Sequence, residues 1–273
     1  MTQTPKLTDR AALRRNRARA AGAPALFLQQ EAAVEIKDRL ELVNRTFTQP
    51  AVVTGFPQVW QPILPDARIV ADDDVLDLAE ASHDLVIHAL SLHWASDPVG
   101  QLVQARRALR PDGLCLVSLF GGQTLYELRS ALAEAEIRVT GGLSPRILPM
   151  AEIRDLGGLL QRAGFALPVA DTFALTVTYS DPFALMRDLR AMGEGNALDA
   201  RLRRPTRRAV LQEAARIYTA HHGDADGRIP ATFEMIFLSG WAPDASQPKP
   251  LRPGSAQTRL ADALGSVESK LQD

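Results

Sequence analysis

The stretch Asp84–Leu119, DLVIHALSLHWASDPVGQLVQARRALRPDGLCLVSL, decides the fold. It opens on Asp84-Leu85-Val86-Ile87-His88 and closes on Leu114-Cys115-Leu116-Val117-Ser118-Leu119, two short runs nearly continuous in apolar character. Such runs predict parallel strands buried on both faces of a sheet. Between them Asp97 stands as an N-cap with Pro98 in the first turn. Val99, Leu102, Val103 and Leu109 supply the apolar set of a helix. Arg110-Pro111-Asp112-Gly113 predicts the turn into the second strand. Strand, helix and strand in this order make a right-handed crossover unit, the building block of an α/β domain.

The same pattern extends outward. Ala51-Val52-Val53-Thr54-Gly55 is a β-branched run ending in glycine, as first strands of nucleotide-binding sheets often are, and Ala67-Arg68-Ile69-Val70-Ala71 follows as another strand. Upstream, helices are predicted over residues 8–21 and 26–44; downstream, over 124–136, 150–163, 182–192 and 205–221, with strands over 169–178 and 231–241. The organisation expected is an N-terminal helical segment (1–48) packed on an α/β domain (49–242) with a helical insertion (181–222). An extended tail (243–273) follows, rich in Pro248, Pro250, Pro253 and Gly254.

With 273 residues, 46% of them apolar, the chain has enough material for a full core. Its 31 basic and 32 acidic residues nearly cancel, leaving no global field to draw it to nucleic acid or an anionic membrane. The single cysteine, Cys115, lies in an apolar run and reads as a buried thiol compatible with a reducing cytoplasm. No stretch approaches the roughly 20 apolar residues of a membrane span, and the first residues lack an apolar signal core, so a soluble, unprocessed cytoplasmic protein is expected. The residues Arg10, Arg14, Arg15, Arg17 and Arg19 give the first helix a basic face: a solvated surface, or a docking surface for an acidic partner.

Several blocks carry a resemblance. They include Ser91-Leu92-His93-Trp94, the turn at 110–113, and Leu119-Phe120-Gly121-Gly122-Gln123-Thr124-Leu125-Tyr126-Glu127-Leu128-Arg129. Further on come Gly141-Gly142-Leu143-Ser144-Pro145-Arg146, Met192-Gly193-Glu194-Gly195-Asn196-Ala197-Leu198 and Asp226-Gly227-Arg228-Ile229-Pro230-Ala231-Thr232-Phe233. Together they resemble the assembly factors of respiratory complex I, found in mitochondria and α-proteobacteria and built on the class I methyltransferase fold. The resemblance implies a Rossmann-like, mostly parallel sheet with helices on both faces. It also implies S-adenosylmethionine as the cofactor type, and modification of an arginine on a complex I subunit, or methyl transfer, as the activity. The partner would be a complex I subunit or assembly intermediate, met transiently at the inner face of the membrane; the alternative is an inactive assembly factor that has lost its cofactor. A small-molecule methyltransferase is a third reading.

The cofactor region departs from that pattern. The fold normally follows its first strand with a glycine-rich turn that lets backbone N–H groups approach the cofactor. Here the turn reads Gly55-Phe56-Pro57-Gln58-Val59-Trp60, with one glycine and three bulky rings. An acid ending a second strand about 20 residues on, to hold the ribose, is missing as well. The segment 67–74 resembles the family's third strand instead. The cofactor candidates that remain are Gly55, Asp72 and Asp73, with Ala89, Leu90, Leu92 and Trp94 as lining of an apolar slot.

Candidate catalytic residues are His93, Tyr126 and Arg129. His93 follows a strand at the carboxyl edge of the sheet, where open α/β folds bind ligands, as a general base or orienting donor; otherwise it and Trp94 pack under the Asp97 helix. Tyr126 and Arg129 follow the next strand, with Gly121 and Gly122 allowing a close approach to their helix. Arg129 and Arg146 hold an acidic substrate group or pair with Glu127. Gly193-Glu194-Gly195-Asn196 either closes over a substrate or ends a helix. Five histidines offer no facial triad: His83 and His88 fall on opposite faces of one strand and His221 and His222 are adjacent, so no metal is expected.

Overall fold

The crossover unit forms as its sequence dictates. In the computed structural model, which describes residues 6–248 and Gly265, the first run is strand β3 (His83–His88) and the second β4 (Leu109–Phe120). The two pair in parallel. The intervening helix α4 (Pro98–Ala108) is capped by Asp97, whose carboxylate accepts from the Gly100 N–H at 2.8 Å. Residues 110–113 do not form a free turn: they lie within β4 as an irregularity, where five residues (Leu109 to Leu114) advance against two (His83 to Leu85). Asp112 there takes φ 58°.

The remaining strands are β1 (Pro50–Val53), β2 (Arg68–Val70), β5 (Ala166–Tyr179) and β6 (Ile229–Trp241). Among the described residues they form a six-stranded sheet in the order β2-β1-β3-β4-β6-β5. β2, β1, β3 and β4 run parallel, while β6 is antiparallel to both neighbours. A single strand lies beyond β1, so Arg68–Val70 pairs directly with β1, in the position next to the first strand.

Period-two alternation divides the strand residues between two cores. Val52, Leu85, Ile87, Leu114 and Leu116 face one cluster with α2 (Phe27–Leu42), α5 (Tyr126–Thr140) and α8 (Arg208–His222). Ala51, Val53, Val86, Cys115 and Val117 face the other with α4 and α6 (Ile153–Arg162). Burial pushes the Cys115 thiol up to about 12, which leaves it an inert core residue. Helix α1 (Arg10–Ala20), a single turn α3 (Pro57–Trp60) and α7 (Pro182–Ala191) complete the fold. Residues up to Pro243 make one compact unit and Asp244–Asp273 a second; the predicted extended tail lies largely outside the described residues. Among those described, no helix is long and apolar enough to cross a membrane.

Candidate functional site

The carboxyl ends of β1, β2, β3 and β4 share one edge of the sheet, the edge at which this kind of fold binds ligands. Two places along it bear on function, and the chain treats them differently.

The first is the crevice beside Gly55, at the end of β1. Arg17 of α1 fills it. A Cβ placed on Gly55 would sit 2.2 Å from Arg17 Nη1, so a larger residue there would require that guanidinium to shift. Arg17 Nη1 donates to Asp72 Oδ1 at 2.7 Å, and its guanidinium lies over the Phe56 ring at 5.3 Å. Arg10 reaches Asp72 Oδ2 at 3.5 Å, donates to the Asp72 carbonyl, and pairs with Asp74; Arg14 pairs with Asp73 at 3.2 Å. Burial alone would push the Asp72 carboxyl up, but the charge and hydrogen bond of Arg17, with the charge of Arg10, hold it below the ordinary aspartate range. The basic face of α1 is thus not a free docking surface in its Arg10, Arg14 and Arg17 portion. Its acidic partner is the chain's own Asp72–Asp74.

The residues at the seat expected for S-adenosylmethionine are already engaged within the chain. Asp72 and Asp73, the candidate acids, are engaged by arginines, and the approach to Gly55 that the cofactor would use is taken by a side chain. Ala89, Leu90 and Leu92 are fully buried in the two cores. Leu90 sits at φ 40°, its N–H held by Ser118 Oγ at 2.9 Å. Nearby, burial lowers the His88 pKa to about 4; the ring is locked between Gln101 at 2.7 Å and Ser91, and stays neutral.

The second is an open pocket of about 210 Å³ between β4, α5, α7 and the segment 146–150. Its walls are largely apolar, with Phe120, Leu128, Met150, Met186, Leu189 and Phe233, and its polar lining includes His93 and Glu194 together with Arg146, Arg190 and Asn196. His93 lies on a single 3-10 turn, Leu92–Trp94, just after β3. Its Nδ1 accepts from the Phe120 N–H at 3.4 Å, an assignment that puts the ring proton on Nε2. That nitrogen lies 3.5 Å from Glu194 Oε2, which accepts from Trp94 Nε1 at 2.7 Å. His93 Nε2 and Glu194 Oε1 are both buried without a hydrogen-bond partner. A donor and an anionic acceptor, side by side and unmatched at the end of an apolar slot, are fit to hold a polar head group or to pass a proton.

Glu194 owes its place to the helix end that precedes it. α7 stops in a Schellman motif: Gly193 takes φ 76°, its N–H bonds Arg190 O, and the Glu194 N–H bonds Leu189 O. The loop therefore does end a helix, and in doing so it delivers a carboxylate to the pocket. Trp94 packs with Ala12, Leu13 and Leu198 beneath α1, and its 3-10 turn also touches α4.

The other two catalytic candidates are not brought here. Tyr126 is 38% exposed, its ring 5.9 Å from that of His222, and Arg129 borders a neighbouring cavity. Glu127 pairs with neither arginine: it is buried and accepts from Thr232 Oγ1 at 2.6 Å. Arg146 forks onto Glu136 at 2.7 and 3.0 Å, a hydrogen bond that brings the Glu136 carboxyl down to about 2. Gly121 and Gly122 approach β6 rather than a helix, since side chains there would strike Ile236 and Glu234. Among the described residues, no three metal-binding side chains cluster.

Residues 45–117 match the family described as a methyltransferase domain. The chain is 39% identical over 231 residues to the mitochondrial arginine-hydroxylase NDUFAF5 of Danio rerio, covering 84% of this chain and 72% of that one. The chain belongs to this family of arginine-hydroxylase-type assembly factors. It is also 39% identical over 184 residues to the malonyl-[acyl-carrier protein] O-methyltransferase of Xylella fastidiosa, covering 67% and 59%. A solved SAM-dependent methyltransferase from Thermotoga maritima matches with TM-score 0.42 and 11% identity over 80% of this chain and 92% of that one. The family's fold, a Rossmann-like class I methyltransferase domain, is the fold of this chain.

Proposed function

We propose that this chain acts on a protein subunit during assembly of respiratory complex I, engaging it at the His93–Glu194 pocket. The reading is carried by family membership across 84% of the chain, and the pocket is an open cavity that holds two buried polar atoms without hydrogen-bond partners. Glu194 Oε1 accepts from the client's polar group, and the methionine-rich walls adapt to its apolar part. In the relatives' named activity that client group is an arginine.

A second reading, an assembly factor without cofactor chemistry, is favoured by one observation: the guanidinium of Arg17 lies against Gly55. Both readings predict the same first experiment. Deletion in a respiring strain lowers assembled complex I, and the tagged chain co-purifies a complex I subunit. Normal assembly after deletion, with no subunit recovered, excludes both. Restoration by wild type but not by His93→Ala and Glu194→Gln ties the function to the pocket.

A further inference from the structure

We propose that Arg17 is the permanent resident of the sheet-edge crevice, standing where the fold seats S-adenosylmethionine, so that the crevice has become a guanidinium site served by the chain itself. Three features recognise a planar cation there: the Asp72 carboxylate at 2.7 Å, the Phe56 ring at 5.3 Å, and a backbone at Gly55 with no side chain to obstruct it. The pair is enclosed, with 12% of the Arg17 side chain and 6% of that of Asp72 exposed. Arg17 Nε and Nη2 find no acceptor, so the aromatic face and the ion pair must outweigh that cost.

The same helix reaches the pocket. A Cβ on Gly193 would lie 3.0 Å from Arg17 Cγ, and Asn16 Nδ2 donates to Gly195 O at 2.8 Å. Seating Arg17 therefore also holds the loop that carries Glu194. The arrangement replaces the missing cradle with a structural cation and joins the closed crevice to the open pocket.

This inference rests on the cofactor-free reading, and its test is independent of client capture. The full chain is melted as wild type, Arg17→Ala and Arg17→Lys, each with S-adenosylmethionine, S-adenosylhomocysteine, ethylguanidinium or ethylammonium. Arg17→Ala is expected to melt roughly 10 °C below wild type, the size of breaking a buried ion pair. Millimolar ethylguanidinium, which replaces the atoms removed, recovers the loss saturably; ethylammonium does not. Arg17→Lys, with charge but no fork, melts between the two. A saturable rise with either adenosyl compound, in wild type or Arg17→Ala, overturns the proposal. So does an Arg17→Ala or Arg17→Lys melt within about 1 °C of wild type. Should Arg17→Ala fail to fold, the wild-type titrations and Arg17→Lys still decide.

Discussion

The crevice at Gly55 and the pocket at His93 lie on one edge of one sheet, yet the first is filled by the chain and the second is left open. At the crevice both Asp72 oxygens have arginine partners, whereas at the pocket His93 Nε2 and Glu194 Oε1 have none. A fold can thus keep its ligand-binding edge while closing half of it from within. The half still available is the one with open volume lined by a donor and an acceptor, His93 and Glu194.

Changes at the two regions separate them. The largest effect is expected at Asp72→Ala, which leaves the Arg17 guanidinium buried without its carboxylate and costs about 3–5 kcal/mol, read as a lower denaturant midpoint. Next comes acid sensitivity. The folded His88 pKa, about 4, lies below the unfolded value near 6.5, so the unfolded chain takes the proton first. The neutral ring's stabilisation, of the order of 3 kcal/mol, is full above pH 6.5 and is lost as pH falls toward 4. Asp72, also depressed, adds a loss below the ordinary aspartate range. Denaturant midpoints from pH 7.5 to 4 check the sign, and His88→Gln should flatten the profile between about 6.5 and 4.

Glu194→Gln keeps an acceptor for Trp94 but removes the charge beside His93. We expect about 1 kcal/mol or less in stability, against a clear loss of client capture. The smallest effect belongs to Asp73→Asn: its pair with Arg14 is exposed, 67% and 54%, and is worth no more than about 1 kcal/mol. A comparable cost at Asp72 and Asp73 would break the contrast between enclosed and exposed pairs.

The sheet was legible because its signals are local. Continuous apolar runs at 51–53, 85–88 and 114–119 became buried strands, and Asp97-Pro98 capped its helix. The irregularity at 110–113 was not, because Pro111-Asp112-Gly113 has turn chemistry whether the turn stands free or is absorbed into a strand. His93 and Trp94 were singled out as candidates by their place after a strand. Glu194 was visible only as part of a glycine-rich loop, since the distance that brings it to His93 spans 101 positions and depends on how α7 ends. The role of Arg17 was hidden for the same reason: five arginines on one helix predict a basic face, but only tertiary docking shows which enters the crevice. The loss of glycines after β1 was the one sequence signal that something else stands there.

The most direct measurement compares recovery of a complex I subunit on tagged wild type, Glu194→Gln and Asp73→Asn, each expressed in a respiring strain lacking its own copy. The account predicts that Asp73→Asn matches wild type while Glu194→Gln recovers about tenfold less, the effect of losing roughly 1.4 kcal/mol of binding. Equal recovery on all three would contradict it.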